Sequence, residues 1–184
     1  MRGVLRRGAG DGLRFVQSQG IFRVVGRRIY GEISITMASS SNLEYVYSRL
    51  NPGIPSAPSP PDPLVTRLVA VRRGRIIGFV ELVRHPPEHA PYVGHWLFSL
   101  HVLDPLYRGL GIGEALAHHV IGLARREEAR ELWLVVGATN WPAIGLYRKL
   151  GFELVAVPGL EEQLEEEAEA TGKRRMTMMK RLYD

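Results

Sequence analysis

The stretch YRGLGIGEALAHH, Tyr107 to His119, sets Arg108 and three alternate glycines, Gly109, Gly111 and Gly113, directly ahead of an apolar helical pattern. Glycine at every second position weakens helix and strand alike, so bare backbone is needed there for another reason. A chain that enters a helix through glycines leaves free N–H groups at the helix N-terminus. Those amides and the helix dipole bind anions such as phosphate. Two nucleotide-binding patterns fail on the spacing. A dinucleotide fingerprint needs G-x-G-x-x-G, but Gly109-x-Gly111 is followed by Glu114 and Gly111-x-Gly113 by Leu116. A P-loop needs Gly-Lys-Ser/Thr, and no lysine lies near.

A third pattern fits. Arg108-x-x-Gly111-x-Gly113, after an apolar strand and before an amphipathic helix, resembles the R/Q-x-x-G-x-G/A pyrophosphate loop of the GNAT superfamily of acyl-CoA-dependent N-acetyltransferases. About thirty residues on, Asn140-x-x-Ala143-x-x-Leu146-Tyr147-x-x-x-Gly151-Phe152 is similar to a second signature of that superfamily. The resemblance covers roughly residues 30–184, with the specific motifs between about 100 and 152.

The resemblance implies acetyl-CoA as co-substrate and no metal. It implies that the pyrophosphate is gripped by the loop Arg108, Gly109, Leu110, Gly111, Ile112 and Gly113. It further implies that a backbone N–H near Val102 or Leu103, on a strand splayed from its neighbour, polarises the thioester carbonyl. Asn140 then lies near the pantetheine, and Tyr147 protonates the departing thiolate, since a phenol with pKa about 10 still holds its proton at neutral pH. The plainer readings are an N-cap for Asn140 and a packed helix aromatic for Tyr147. The implied activity is acetyl transfer to a primary amine by direct attack in a ternary complex. The alternative is a non-catalytic acyl-CoA-binding or sensing module, which would not need the acid.

An amine with pKa near 10 is mostly protonated and must lose a proton before it attacks. Glu81, His95 and His101 are the residues of suitable type near the expected site. His101 has the better intrinsic pKa, about 6.5; Glu81 would act directly or through water.

The elements that must hold these residues follow from periodicity. YGEISITM (Tyr30–Met37) alternates as a strand, and residues 51–63 form a proline-rich loop. LVTRLVAV and IIGFVELV, joined through Gly74, read as a hairpin. HWLFSLHVL (His95–Leu103) is an apolar strand that runs into the glycines and has room for a bulge near LHVLDP. Leu116, Val120, Leu123 and Ala124 repeat at helical spacing; ELWLVVGA is an apolar strand; Asn140, Pro142 and Gly151 bracket a second helix. FELVAV and RMTMMKRLY are the last strands. The predicted fold class is α/β (α+β): a mixed, mostly antiparallel sheet flanked by helices, with an extra N-terminal helix. The predicted division is a basic helical extension, 1–29, and an acetyltransferase domain, 30–184.

The chain has 184 residues and a net charge of +5. It has no cysteine, which excludes disulfides, thiolate metal sites and a cysteine nucleophile. No apolar run reaches the roughly 18–20 residues that span a bilayer, and the N-terminus lacks the apolar core of a secretory signal. A cytoplasmic setting is expected, without a membrane partner. Seven arginines face Asp11 alone in residues 1–30, the pattern of a transit peptide, a nucleic-acid arm or a basic helix. The helix is the expectation, packing on the domain or mediating a homodimer, with nucleic acid not expected as the main partner. Six glutamates crowd residues 161–169. They read as a solvated helix or as an attractant for a cationic small-molecule or peptide amine acceptor.

Overall fold

Strands form where β-branched and aromatic residues cluster, and helices where apolar residues recur every three or four positions. The computed structural model describes residues 14–18, 21–25, 33–52 and 62–183. In chain order the elements are β1 (Arg14–Ser18), β2 (Ile21–Val25), β3 (Ser34–Met37), α1 (Ser40–Leu50), β4 (Val65–Arg72), β5 (Arg75–His85) and β6 (Gly94–Val102). There follow α2 (Ile112–Arg126), β7 (Glu131–Gly137), α3 (Trp141–Lys149), β8 (Glu153–Leu154), α4 (Leu160–Thr171) and β9 (Arg175–Arg181).

Seven strands make one sheet in the order β3-β4-β5-β6-β7-β9-β8. Pairing is antiparallel for β3–β4, β7–β9 and β8–β9, and parallel for β6–β7. Among the described residues the β6–β7 ladder joins only His95 to Leu132 and Trp96 to Trp133, near the start of both strands, whereas β7 pairs with β9 along its whole length. This is the splayed pair expected from the resemblance. Between β4 and β5, Arg73 and Gly74 both have positive φ (+48° and +73°), the two-residue turn that matches strand twist.

Packing divides the chain into two compact units. The first holds the described residues up to Asp62, Thr66–Glu81 and Ser99–His119. Its core sets Leu43 and Val46 of α1 on Val69 and Phe79. The second holds Pro63–Val65, Leu82–Phe98 and the chain from Val120 onward. Here Leu160 and Leu164 of α4 pack with Trp96, which stacks on Trp133 at 5.8 Å.

Three elements differ from the sequence expectation. The N-terminal extension was expected to be helical, yet β1 and β2 form an antiparallel hairpin, from Arg14↔Val25 to Ser18↔Ile21. Phe15, Val16, Ile21, Phe22, Val24 and Val25 are strand formers, and their propensity outweighs the apolar spacing read as a helix face. The remainder of the expected helix, like residues 53–61 of the proline-rich loop, lies outside the described residues. Helix α1 went unpredicted although its start is written in the chain. The Ser39 hydroxyl accepts from Asn42 N (3.2 Å) and the Asn42 side chain accepts from Ser39 N (3.0 Å), a reciprocal cap. The strand expected over FELVAV shrinks to Glu153–Leu154.

Candidate active site

In the first unit the chain leaves β6 through Asp104, whose carboxylate accepts from Leu106 N (3.0 Å) and opens a single 3₁₀ turn, Pro105–Tyr107. The Arg72 guanidinium lies over the Tyr107 ring, 5.4 Å from its centre, and anchors that turn. Gly109 and Gly111 then adopt φ of +70° and +85°, a region costly for any side chain. Ala115 N donates to Gly111 O (2.9 Å), so Gly111 is the N-cap of α2. Glycine offers no capping side chain, and the first turn of an α-helix has no carbonyl one turn behind its amides. Arg108 and Gly109 are exposed, Leu110 and Gly111 half-buried, Ile112 and Gly113 buried. The loop therefore has the donors, the dipole and the bare backbone that a pyrophosphate requires.

Gly78 of β5 sets where α2 begins. A Cβ there would stand 2.9 Å from Leu116 Cδ1, 3.0 Å from Ile112 Cγ2 and 3.3 Å from the His101 carbonyl oxygen. Only a glycine lets the first turn of α2 sit so close to the strand. Gly78 is absent from the residues singled out by motif, although a lone glycine inside a strand pattern is the signal for such an approach.

Strand β6 is kinked at Ser99, whose φ is +51°. The break anticipated near Leu100–Pro105 thus comes one residue earlier. Leu103 N donates to Ile77 O (3.0 Å), so its amide is spent on β5. Successive peptide groups point to opposite edges of a strand, which turns the Val102 amide the other way. Of the two backbone donors expected, Leu103 is the one already paired within the fold.

Glu81 sits in a half-buried polar cluster. Its Oε1 accepts from Arg67 Nε (3.1 Å) and from the Tyr47 hydroxyl (3.4 Å). Burial, then the Glu81 charge, push the Tyr47 phenol above its ordinary 10. His101 lies within the electrostatic reach of Glu81. Loss of hydration lowers its pKa below 6.5, opposed by the Glu81 charge. His101 is nonetheless an exposed residue, so solvent reaches its surface while protein crowds the ring. The structure thus brings Glu81 and His101 together and adds Tyr47 and Arg67, which no sequence spacing connects. His95 is committed elsewhere, in the second unit: its Nε2 lies 3.1 Å from Glu127 Oε2, and Arg84 clasps the same carboxylate through Nε (2.6 Å) and Nη2.

In the second unit Asn140 caps α3, its Oδ1 accepting from Ala143 N (3.3 Å) and its own N donating to Gly137 O (2.9 Å). Tyr147, on the inner face of α3, is 6% exposed and meets Phe152 edge to face at 5.7 Å. Burial pushes its phenol up to about 12. Gly151, with φ of +84°, ends the helix, as its place in the motif anticipates.

The model for the acetyltransferase (GNAT) family matches residues 39–152. The chain belongs to that family. It is 39% identical over 74 residues to streptothricin acetyltransferase of Streptomyces lavendulae, covering 40% of this chain and 38% of that protein. It is 45% identical over 56 residues to the ribosomal protein bS18-alanine N-acetyltransferase of Escherichia coli (strain K12), covering 30% and 37%. The chain thus matches less than two fifths of either relative's length. The crystal structure of the ribosomal-protein-S18-alanine N-acetyltransferase from Escherichia coli superposes with a TM-score of 0.61 at 22% identity, over 83% of this chain and 95% of that one, and so shares the fold. Nourseothricin acetyltransferase superposes with a TM-score of 0.53 at 28% identity, over 71% and 75%. Among the described residues no group of His, Asp and Glu is arranged to hold a metal ion, and no helix is long and apolar enough to cross a membrane.

Proposed function

We propose that this GNAT-family chain transfers an acetyl group from acetyl-CoA to a primary amine by direct attack in a ternary complex. The observation that carries the reading is the glycine start of α2: Gly111 at the N-cap with φ of +85°, preceded by Arg108 and Gly109. Acetyl-CoA supplies the acetyl group activated as a thioester. The amides of the Arg108–Gly113 loop hold its pyrophosphate, with Arg108 adding charge. The Val102 amide donates to the thioester carbonyl oxygen, and Asn140 serves both as a cap and as a polar contact to the pantetheine.

Tyr147 acts on the leaving sulfur. A phenol at about 12 keeps its proton throughout the neutral range, so the donor is always loaded. Tyr147 therefore meets the developing thiolate as a hydrogen-bond donor and proton source. For the proton on the attacking amine, His101 is the better acceptor. Its lowered pKa leaves it neutral at pH 7, while Glu81 is already engaged by Arg67 and Tyr47. Glu81 then positions and tunes His101.

The test is calorimetric titration of acetyl-CoA and of its non-reactive desulfo analogue, followed by thiol release with a panel of amines. Binding with amine-dependent thiol release is expected. Binding with no release from any amine would favour a sensing module, and no binding would end the acyl-transfer reading.

A further inference from the structure

The glutamates of α4 take no part in the chemistry above. Glu161, Glu162 and Glu165 stand three and four residues apart about Glu165 and so share a helix face. Within the second unit they line an open groove of about 610 Å³, with Thr177 of β9 among its lining residues. Thr177 is 4% exposed, and its Oγ1 is buried without a hydrogen-bond partner among the described residues. Its backbone is satisfied, since its carbonyl accepts from Val155 N (3.2 Å). A buried hydroxyl that has lost water and gained nothing is uncommon, and it marks a place where a ligand can complete the bonding. Arg174 and Arg175 also border the groove, but Arg175 is ion-paired with Glu167, which does not line it. Negative charge is therefore in excess. Leu154 and Met176 add apolar wall between the polar groups.

We propose that this groove binds an aliphatic polyammonium ligand. The carboxylates of Glu161, Glu162 and Glu165 take ammonium groups, Thr177 Oγ1 accepts an N–H, and Leu154 and Met176 cover methylenes. That the same molecule is the acetyl acceptor rests on the acyl-transfer reading; binding in the groove does not.

Spermidine is the probe, titrated calorimetrically into the full chain, with butylamine as the single-charge control. Spermidine is expected to bind more tightly than butylamine and to weaken as salt rises. In the E161Q/E162Q/E165Q variant its affinity should fall about tenfold, as expected for the loss of several exposed ion pairs. Thr177→Val should hold or raise the Tm while weakening spermidine several-fold, a combination that a purely structural threonine would not give. Equal spermidine affinity in wild type and the triple variant, or no binding by the wild type, would overturn the proposal. Desulfo-CoA binding in the same preparations keeps the two readings apart. Glutamate-dependent spermidine binding without desulfo-CoA binding sinks acyl transfer and leaves the groove standing; the converse sinks the groove. Thiol release with spermidine, with KM raised in the triple variant and kcat unchanged, identifies it as the acceptor.

Discussion

Helices α2 and α3 follow strands and open in opposite ways. Helix α3 begins on Asn140, whose side chain accepts from Ala143 N and satisfies the helix from within. Helix α2 begins on Gly111, which has no side chain and holds a positive φ. A side-chain cap satisfies a helix start from within, whereas a glycine start leaves its amides to water or a ligand. The same contrast separates the two motifs. Around α3 every motif residue has a visible part in the fold: Asn140 caps, Tyr147 packs on Phe152, and Gly151 stops the helix. Around α2 the glycines weaken the local structure, and the proposed pyrophosphate grip gives the reason for them.

The contrast is broken most sharply at Gly111. Gly111→Asp puts a fixed negative charge on the α2 amides and should cut acetyl-CoA affinity at least about 100-fold, with the Tm moved far less, by calorimetry and thermal melts. Retained affinity would mean that the α2 start is not the anion site.

Next in size is Tyr147→Phe, which should lower kcat about 10- to 100-fold with little change in KM, the loss of one hydrogen bond to developing charge. The same variant sharpens the reading of its burial. The unfolded chain releases the phenol proton above about pH 10, the folded chain only above about 12. Stability present below pH 10 is therefore lost as pH rises through that window, by up to about 3 kcal/mol. The phenylalanine variant has no phenol proton to lose at this position, so denaturation of both proteins at pH 9 and 11.5 should show the difference.

Gly78→Ala tests whether α2 is held in place by its strand. The added methyl meets Leu116 and Ile112 at about 3 Å and should cost about 1–3 kcal/mol in urea unfolding. Acetyl-CoA should bind more weakly as the α2 start is pushed away. On the capped side, Asn140→Ala should cost about 1 kcal/mol of stability, and Asn140→Ser should restore most of it. Activity restored along with stability would mark Asn140 as a cap alone.

The subtlest effect belongs to the base. Activity that needs neutral His101 falls as pH drops through its pKa, and the Glu81 charge holds that pKa up. Glu81→Gln should thus move the acid limb of kcat/KM to lower pH. Loss of activity at every pH would make Glu81 the base instead.

Much of the fold and site can be read from the chain because the signals are local. The spacing of Arg108, Gly111 and Gly113, the Asn140–Phe152 pattern and the Arg73-Gly74 turn each depend on a few neighbouring residues and on backbone sterics. The missed elements show where locality ends. Helix α1 had its cap in Ser39 and Asn42, but the neighbouring proline-rich run drew the whole segment into a loop reading. The β1–β2 hairpin was mistaken for a helix because short apolar segments fit both periods.

By itself the sequence determined the family motifs and the candidate residues within them, since residue type and spacing along one helix or loop set what a backbone can bind. Only the tertiary structure decided which of them are available. Leu103 was an equal partner of Val102 until Ile77 took its amide. The Glu81 carboxylate is engaged by Arg67 and Tyr47, and Tyr147 was an ordinary phenol until burial moved it to about 12. Hydrogen bonds and dehydration come from residues far apart in the chain, and no spacing along it records them.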